Sequence, residues 1–543
     1  MYDYEGQSPI YSLPLEIWRL CLAPLSPDQP SVWQYRVGRW EHEWDFLEKR
    51  ELWDLWKEKR RDLESLCRTS KTMAAIISPF LFESVAVVSR RGLERLSDLL
   101  INRPRIGEYV RELYCFFIVA RRWQHMVRGD RHLDEEVQGF SSNSELTNNR
   151  RKSSVDFLEG ILDKTPNITG ILLSFPMGFS SLKDRIPRIC RLIEPTLSIP
   201  SLNGLDCSKL KTLQLRRDIT KKNYRSSWNE GAFDCDIMQY LCYLPSLESL
   251  ESCADMEGTW ELPGFEDWLM ASPQGVPFEH PSLHLPHLRH LRLYGSRIRE
   301  VDLVGLCLAC TNLQTLLVHF EMGYADFEKQ LIRPGRTLNN ALLQRARSLH
   351  SLELLGPVSG SYLTPEDGVE NSPMRRLDCV PSLLSLRHLS LDFRAIYGRP
   401  PYLKPESIEA LSAFFPPSLT SLEITCEWAW YYPEAYELDW EDIATTLTHF
   451  QRLYDKRELP PQLRSLTFAM CSMGHAHDPR HVIVPQTERF FANTPIRFKI
   501  APIPARLLAV PTSHPESDQE WRDERFEEND RRASALLMGS RNI

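Results

Sequence analysis

The chain has no excess of positive charge, no apolar run long enough to cross a bilayer and no cysteine framework. Each absence removes a class of function. Lys and Arg total 65 against 73 Asp and Glu, a net charge of −8. Non-specific nucleic-acid binding needs a cationic surface that displaces counterions, so no nucleic-acid partner is expected. A membrane helix needs about 18 consecutive apolar residues. The longest apolar runs, such as 115–120, suit buried strands instead, and no membrane partner is expected. Thirteen cysteines lie scattered without paired spacing, the pattern of reduced thiols in an intracellular chain. Asp3 and Glu5 stand where a secretory leader would carry positive charge. The expected compartment is therefore cytoplasm or nucleus, and the sequon Asn167-Ile168-Thr169 is expected to be silent.

Catalytic signatures are missing as well: there is no Gly-rich phosphate loop, nucleophile elbow or zincin helix motif. Cys307 and Cys310 form a single C-x-x-C without a second pair, which reads as buried thiols rather than a metal or redox site. His475, His477 and His481, with Asp478, carry lone pairs suited to a divalent metal. Their spacing matches no closed site, and a polar loop after a strand accounts for them equally. No catalytic residue, metal or cofactor is expected.

What is present is apolar content of 42% and charged content of 25%, enough for a core and an ordinary surface. From about residue 90 one unit recurs: a helical stretch, a Pro or polar turn, then Leu-x-x-Leu-x-Leu. Instances begin at Leu210, Leu288, Leu313, Leu349, Leu386, Leu419 and Leu463, with weaker ones at Val110, Ile168 and Leu247. Proline stands two residues before the first apolar position at Pro166, Pro245, Pro286, Pro417 and Pro461. Helices are predicted at 155–162, 237–244, 301–308, 338–346, 408–415 and 443–453. Leu96 and Leu303 match the bare pattern inside helical stretches and read as chance hits. A single unit cannot bury its apolar face, but stacked units close a continuous core.

In the strand around Leu291 and Leu293, alternation turns those two inward and His290, Arg292 and Tyr294 outward. The same logic marks Thr315, His319, Glu353, His388, Asp392, Glu423 and Thr425 as outward positions on later strands, and these are the candidate contacts to a protein target. The steps between instances, 25 to 44 residues from Leu210 onward, exceed the roughly 20–29 of regular leucine-rich repeats. The expected fold is α/β: a small helical front, then an irregular solenoid of parallel strands with helices outside. A non-repetitive α/β domain is the alternative. Stretches 121–152 and 256–281 read as loops.

Two N-terminal stretches carry helical periodicity. In 12–25, Ser12 suits a cap and Pro14 the first turn, and Ile17, Leu20, Cys21 and Leu25 share one face. A second helix is predicted at 63–77, where Leu63, Leu66, Cys67, Ser70, Met73 and Ile77 recur at threes and fours, ended by Ser78-Pro79. Between the halves, 26–62 holds five of fourteen tryptophans: Trp33, Trp40, Trp44, Trp53 and Trp56. This stripe reads as a helix packed back on the domain or as an added partner surface.

The set Leu13-Pro14-x-Glu16, Leu66-Cys67-Arg68-x-Ser70-Lys71 and Pro79-x-Leu81-Phe82-x-Ser84-Val85 resembles the F-box motif in its fungal form. It covers under a tenth of the chain, and Ser70 stands where many F-boxes carry an aromatic residue. The resemblance implies docking to a Skp-type adaptor and, through it, to a cullin scaffold. The adaptor-binding residues it implies are Leu13, Pro14, Ile17, Cys21, Leu25, Leu66 and Cys67. The implied function is substrate recognition for a cullin-based ubiquitin ligase by a chain that is not itself an enzyme. A leucine-rich-repeat scaffold outside ubiquitin ligases, its front helices serving only as a cap, is the alternative. The expected organisation is 1–90 helical front, 91–512 repeats and 513–543 charged tail.

Overall fold

The computed structural model describes residues 15–22, 58–87, 90–116, 154–175, 209–217, 241, 244–253, 284–296, 298, 300–320, 338–355, 377–392, 396, 411, 413–426, 440–471 and 480–503. The predicted Trp-rich insert (but for 58–62), the loops 121–152 and 256–281, and the tail 513–543 lie outside them, as do His475 and His477.

Over the described residues the protein is α/β. Twelve strands form one all-parallel sheet and lie in it in sequence order. They are β1 (Ser84–Val87), β2 (Glu112–Phe116), β3 (Gly170–Phe175), β4 (Thr212–Arg217), β5 (Ser249–Cys253), β6 (His290–Ser296), β7 (Thr315–Phe320), β8 (Ser351–Leu355), β9 (His388–Asp392), β10 (Ser421–Cys426), β11 (Ser465–Cys471) and β12 (Arg497–Ile503). Register is kept across the sheet, with one bulge between β6 and β7. One row of Cα partners therefore runs Leu113, Ile171, Leu213, Leu250, Leu291, Leu316, Leu352, Leu389, Leu422, Leu466. A second row two residues on runs from Cys115 through Leu293 and Leu354 to Phe468. Apart from Ser252, both rows are apolar, and both are buried between residues 113 and 468. The strong and weak Leu-x-x-Leu-x-Leu instances thus give equivalent strands.

Helices close this core. After the front helices come α4 (Arg90–Asn102), α5 (Pro104–Tyr109), α6 (Ser154–Leu162), α7 (Glu300–Ala309), α8 (Leu338–Leu343), α9 (Trp440–Asp455) and α10 (Arg480–Ala492). Leu93, Leu100, Ile161, Leu306, Leu342 and Phe450 of these helices share one cluster with the inward strand rows. Neighbouring helices pack on one another: α4 on α6, α7 on α8, α9 on α10. Leu96 and Leu303 are helical as expected.

The turns are tied together as firmly as the strands. The residue before each strand donates its N–H to the carbonyl of its counterpart in the previous unit: Arg111 to Glu83, Thr169 to Arg111, Lys211 to Thr169, and so on to Arg464 on Thr420, at 2.7–2.8 Å. Side chains add rungs. Asn167 donates to Glu108 O at 3.0 Å, Asn312 to Pro286 O at 2.8 Å, Ser385 to Arg347 O at 2.9 Å and Ser418 to Leu386 O at 2.7 Å.

Several expectations are corrected. The helix expected at 63–77 is two: α2 (58–67) and α3 (Lys71–Glu83). Ser70 divides them because its Oγ accepts from Met73 N at 3.0 Å and caps α3. Pro79 does not end the helix but lies inside α3. The carbonyl it leaves without an N–H is that of exposed Ala75, where water can serve, and Ser78 Oγ bonds the preceding Ala74 O at 2.6 Å. The helix expected at 338–346 stops at Leu343, where i to i+3 bonds from Arg345 to Leu342 and Ala346 to Leu343 tighten the chain. In 408–415 the described residues, 411 and 413–415, form turn rather than helix, as expected before Pro416-Pro417. Strand β1 begins at Ser84, inside the stretch assigned to the helical front, and its Val85 and Val87 belong to the sheet's core.

Two substitutions of opposite sign test this packing. A Cβ on Gly107, in α5, would overlap the Lys164 carbonyl oxygen. Gly107→Ala should destabilise the protein by about 1–3 kcal/mol. Arg457 is the one described non-Gly residue with positive φ, at 61°. It closes α9 with Glu458 N bonding Leu453 O at 2.8 Å and Arg457 N bonding Tyr454 O at 2.9 Å, a Schellman ending that favours glycine. Arg457→Gly should raise stability by up to about 1 kcal/mol. Thermal unfolding of both variants reads the two signs.

Candidate functional site

The front unit has its own small core. Helix α1 (Leu15–Leu22) turns Trp18 and Leu22 inward, against Leu63 of α2 and Ile77, Phe80 and Leu81 of α3. These are i, i+4 neighbours on one face. The face one residue round carries Ile17, 40% exposed, and Cys21, also exposed. Helix α1 is therefore apolar on two sides, and the described residues pack on one. Sequence periodicity grouped Ile17 with Cys21 correctly but missed Trp18 as the inward anchor, although Trp18 and Leu22 carry the same spacing.

Leu66 and Cys67 are half-buried and pack against this core, so the predicted adaptor set divides. Ile17 and Cys21 form an open face, Leu66 and Cys67 flank the core, and Leu13, Pro14 and Leu25 lie outside the described residues. Burial, then the nearby Glu64 carboxylate, pushes the Cys67 thiol above its usual range.

The front is joined to the sheet at Phe82, which packs against both cores. Arg60 of α2 reinforces the joint. Its Nη1 donates to Leu81 O at 3.1 Å, its guanidinium lies 5.8 Å from the Phe82 ring centroid, and Nε pairs with Glu64 at 3.3 Å. Burial holds the Arg60 pKa below its ordinary value, with Glu64 opposing.

The other candidate surface is the sheet face opposite the core. Register places Glu251, Arg292, Leu317, Glu353, Ser390 and Glu423 in one row across β5–β10. The predicted target contacts fall on five adjacent strands and do converge. Tyr294 meets His319 edge-on, with centroids 5.1 Å apart at 87°. His319 Nε2 lies 2.8 Å from Glu353 Oε1, the two side chains 13% and 26% exposed. His290 Nδ1 lies 3.1 Å from Thr315 Oγ1. Burial, then Arg292 and Arg289, holds the His290 imidazole below its usual range.

Not every predicted contact reaches water. Tyr294 and Thr425 are buried, while His388 is exposed and His290, Arg292, Thr315, His319, Glu353 and Glu423 are half-buried. Alternation sets the side of the sheet a residue faces, and not whether neighbours cover it. On β2–β5 the same row, Tyr114, Leu172, Gln214 and Glu251, is buried. Asp392 ends β9, and its side chain is not described. His481 lies in α10 rather than in a loop.

No cluster of metal-binding side chains occurs among the described residues, and no described helix is long and apolar enough to cross a membrane. The thiols of Cys115, Cys307 and Cys379 are buried and pushed up to about 12, and burial raises Cys310 further. Arg345 Nε and Nη2 donate to Cys307 O and Leu308 O at 2.8 and 2.6 Å. There the cation closes the negative end of α7. Comparison with protein-family models gave no match, and comparison with curated proteins gave none either.

Thiolate is the reactive form, so native alkylation followed by peptide mapping should label Cys21 and leave Cys115, Cys307, Cys310 and Cys379 untouched until the chain is unfolded. Fast native labelling of Cys307 or Cys310 would contradict the buried, chemically silent reading.

Proposed function

We propose that this chain is the substrate-recognition subunit of a cullin-based ubiquitin ligase, built as an F-box unit followed by divergent leucine-rich repeats. The observation that carries the reading is the open Ile17–Cys21 face on a helix whose adjoining face is already closed by Trp18 and Leu22. Ile17 and Cys21 are two of the adaptor-binding residues that the F-box resemblance implies, and an apolar helix face of this kind suits a protein partner. The Leu-x-x-Leu-x-Leu signature at successive parallel strands in sequence order supports the repeat half of the reading.

In this reading the chain performs no chemistry. The adaptor is held at α1, the target on the sheet side, and the Phe82–Arg60 joint fixes one relative to the other. The contribution to ubiquitin transfer is proximity, supplied by a rigid spacer rather than by a catalytic group.

The test is co-purification of a Skp-type adaptor with the full chain. Wild type should capture it. Ile17→Asp with Cys21→Asp, both at exposed positions, should weaken capture by about tenfold or more, as loss of central apolar contacts does, with the unfolding temperature unchanged. Leu66 is unsuitable because it packs on the front core. No capture by wild type would leave a repeat scaffold unconnected to ubiquitin ligases.

A further inference from the structure

The turns leading into the strands carry a charge pattern that the inward Leu rows do not explain. From β1 to β11 the residue just before each strand is Glu83, Arg111, Thr169, Lys211, Glu248, Arg289, Gln314, His350, Arg387, Thr420 and Arg464. Lys and Arg make up 65 of 543 residues, so eleven positions drawn at random would hold one or two. This row holds Arg111, Lys211, Arg289, Arg387 and Arg464, all exposed, on a chain whose net charge is −8.

Lys211 pairs with Glu248 at 2.9 Å, and Arg111 donates to Asn167 O at 3.2 Å. Arg289, Arg387 and Arg464 make no ion pair among the described residues. Each stands on a backbone turn fixed by two inter-unit hydrogen bonds, so their relative positions are set by the stack. Beside each follows a second polar side chain: His290, His388 and Ser465. Adjacent strands lie about 4.8 Å apart, which spaces these arginines, at β6, β9 and β11, roughly 14 and 10 Å from one another along the rim.

We propose that the turn rim before β6–β11 takes an extended acidic segment of the protein target, with Arg289, Arg387 and Arg464 each holding a carboxylate. This rests on the target-receptor half of the proposed function. Arginine offers a planar fork that matches a carboxylate through two parallel hydrogen bonds. An extended chain advances about 3.3 Å per residue and alternates its faces, so acidic side chains four residues apart share one face about 13 Å from one another, within reach of the flexible arginines at both gaps. The spacing disfavours a nucleic acid, whose denser row of phosphates calls for more closely set cations.

The test uses the full chain and a labelled synthetic peptide of repeating Glu-Gly-Ser-Gly, with Gln-Gly-Ser-Gly and oligouridylate as the other probes, read by fluorescence anisotropy. Wild type should bind the Glu peptide, lose affinity as salt rises from about 50 to about 300 mM, and bind the Gln peptide at least about tenfold more weakly. The triple variant Arg289→Glu, Arg387→Glu, Arg464→Glu should lose about tenfold or more in affinity for the Glu peptide. A triple of equal charge elsewhere, Arg91→Glu, Arg95→Glu, Arg105→Glu at exposed sites of α4 and α5, should lose under about threefold. Unfolding temperature should match wild type in both. Equal binding of the Gln peptide, equal losses in the two triples, or tighter binding of oligouridylate would overturn the proposal. Adaptor capture is measured alongside: its absence in wild type refutes the ligase reading while the rim result stands by itself.

Discussion

The structure depends on in-register stacking of units that cannot bury themselves. One strand with two inward apolar residues leaves most of their surface exposed. Placed between two like strands and under a helix, the same residues are enclosed on all sides. The inward rows through Leu291 and Leu293 run across the sheet in register, and removing one member would open a void shared by its neighbours. Register is held independently at the turns, where each pre-strand N–H reaches the preceding unit's carbonyl. Apolar burial supplies the driving force, and the turn bonds decide which residue sits opposite which. A slip of one residue would send every Leu to the wrong face.

Two consequences follow for function. Strand order and register convert a scattered set of sequence positions into continuous surfaces, so His290, Arg292, His319 and Glu353 become neighbours although 63 residues separate the first from the last. The front unit is not a free appendage. Phe82 belongs to both cores, and α3 runs directly into β1. Whatever seats on Ile17 and Cys21 is therefore held in a defined relation to the sheet. Under the proposed function that fixed relation is the chain's whole contribution, since its effect on a reaction done elsewhere would be geometric.

The sequence made the interior legible and the surface only partly so. Apolar periodicity located β4, β6 and β7–β11 through their Leu triplets, and the weaker Val110, Ile168 and Leu247 triplets belong to strands of the same kind. It missed β1 and β12, whose Val85-x-Val87 and Phe498-x-Ile500 are too short to stand out. Proline misled at Pro79, since an exposed carbonyl makes a proline inside a helix tolerable, a fact of tertiary context. Alternation gave the side faced by Tyr294 and Thr425 but not their burial, which depends on residues distant in sequence. The adaptor face was half visible: Ile17 and Cys21 share a spacing, but only the packing of Trp18 says which side of α1 is taken. The basic turn rim stayed hidden because its members are separated by 77 to 100 residues and become a row only once the strands are aligned.

In the proposed function, α1 offers its Ile17–Cys21 side to an adaptor while the sheet keeps its own structure. Amide hydrogen exchange of the full chain, with and without a Skp-type adaptor, addresses it most directly. Exchange in 15–22 and 58–67 should slow on adding the adaptor, with no change in the strands from β4 onward. Unchanged exchange in the front helices, or slowed exchange confined to the sheet, would contradict it.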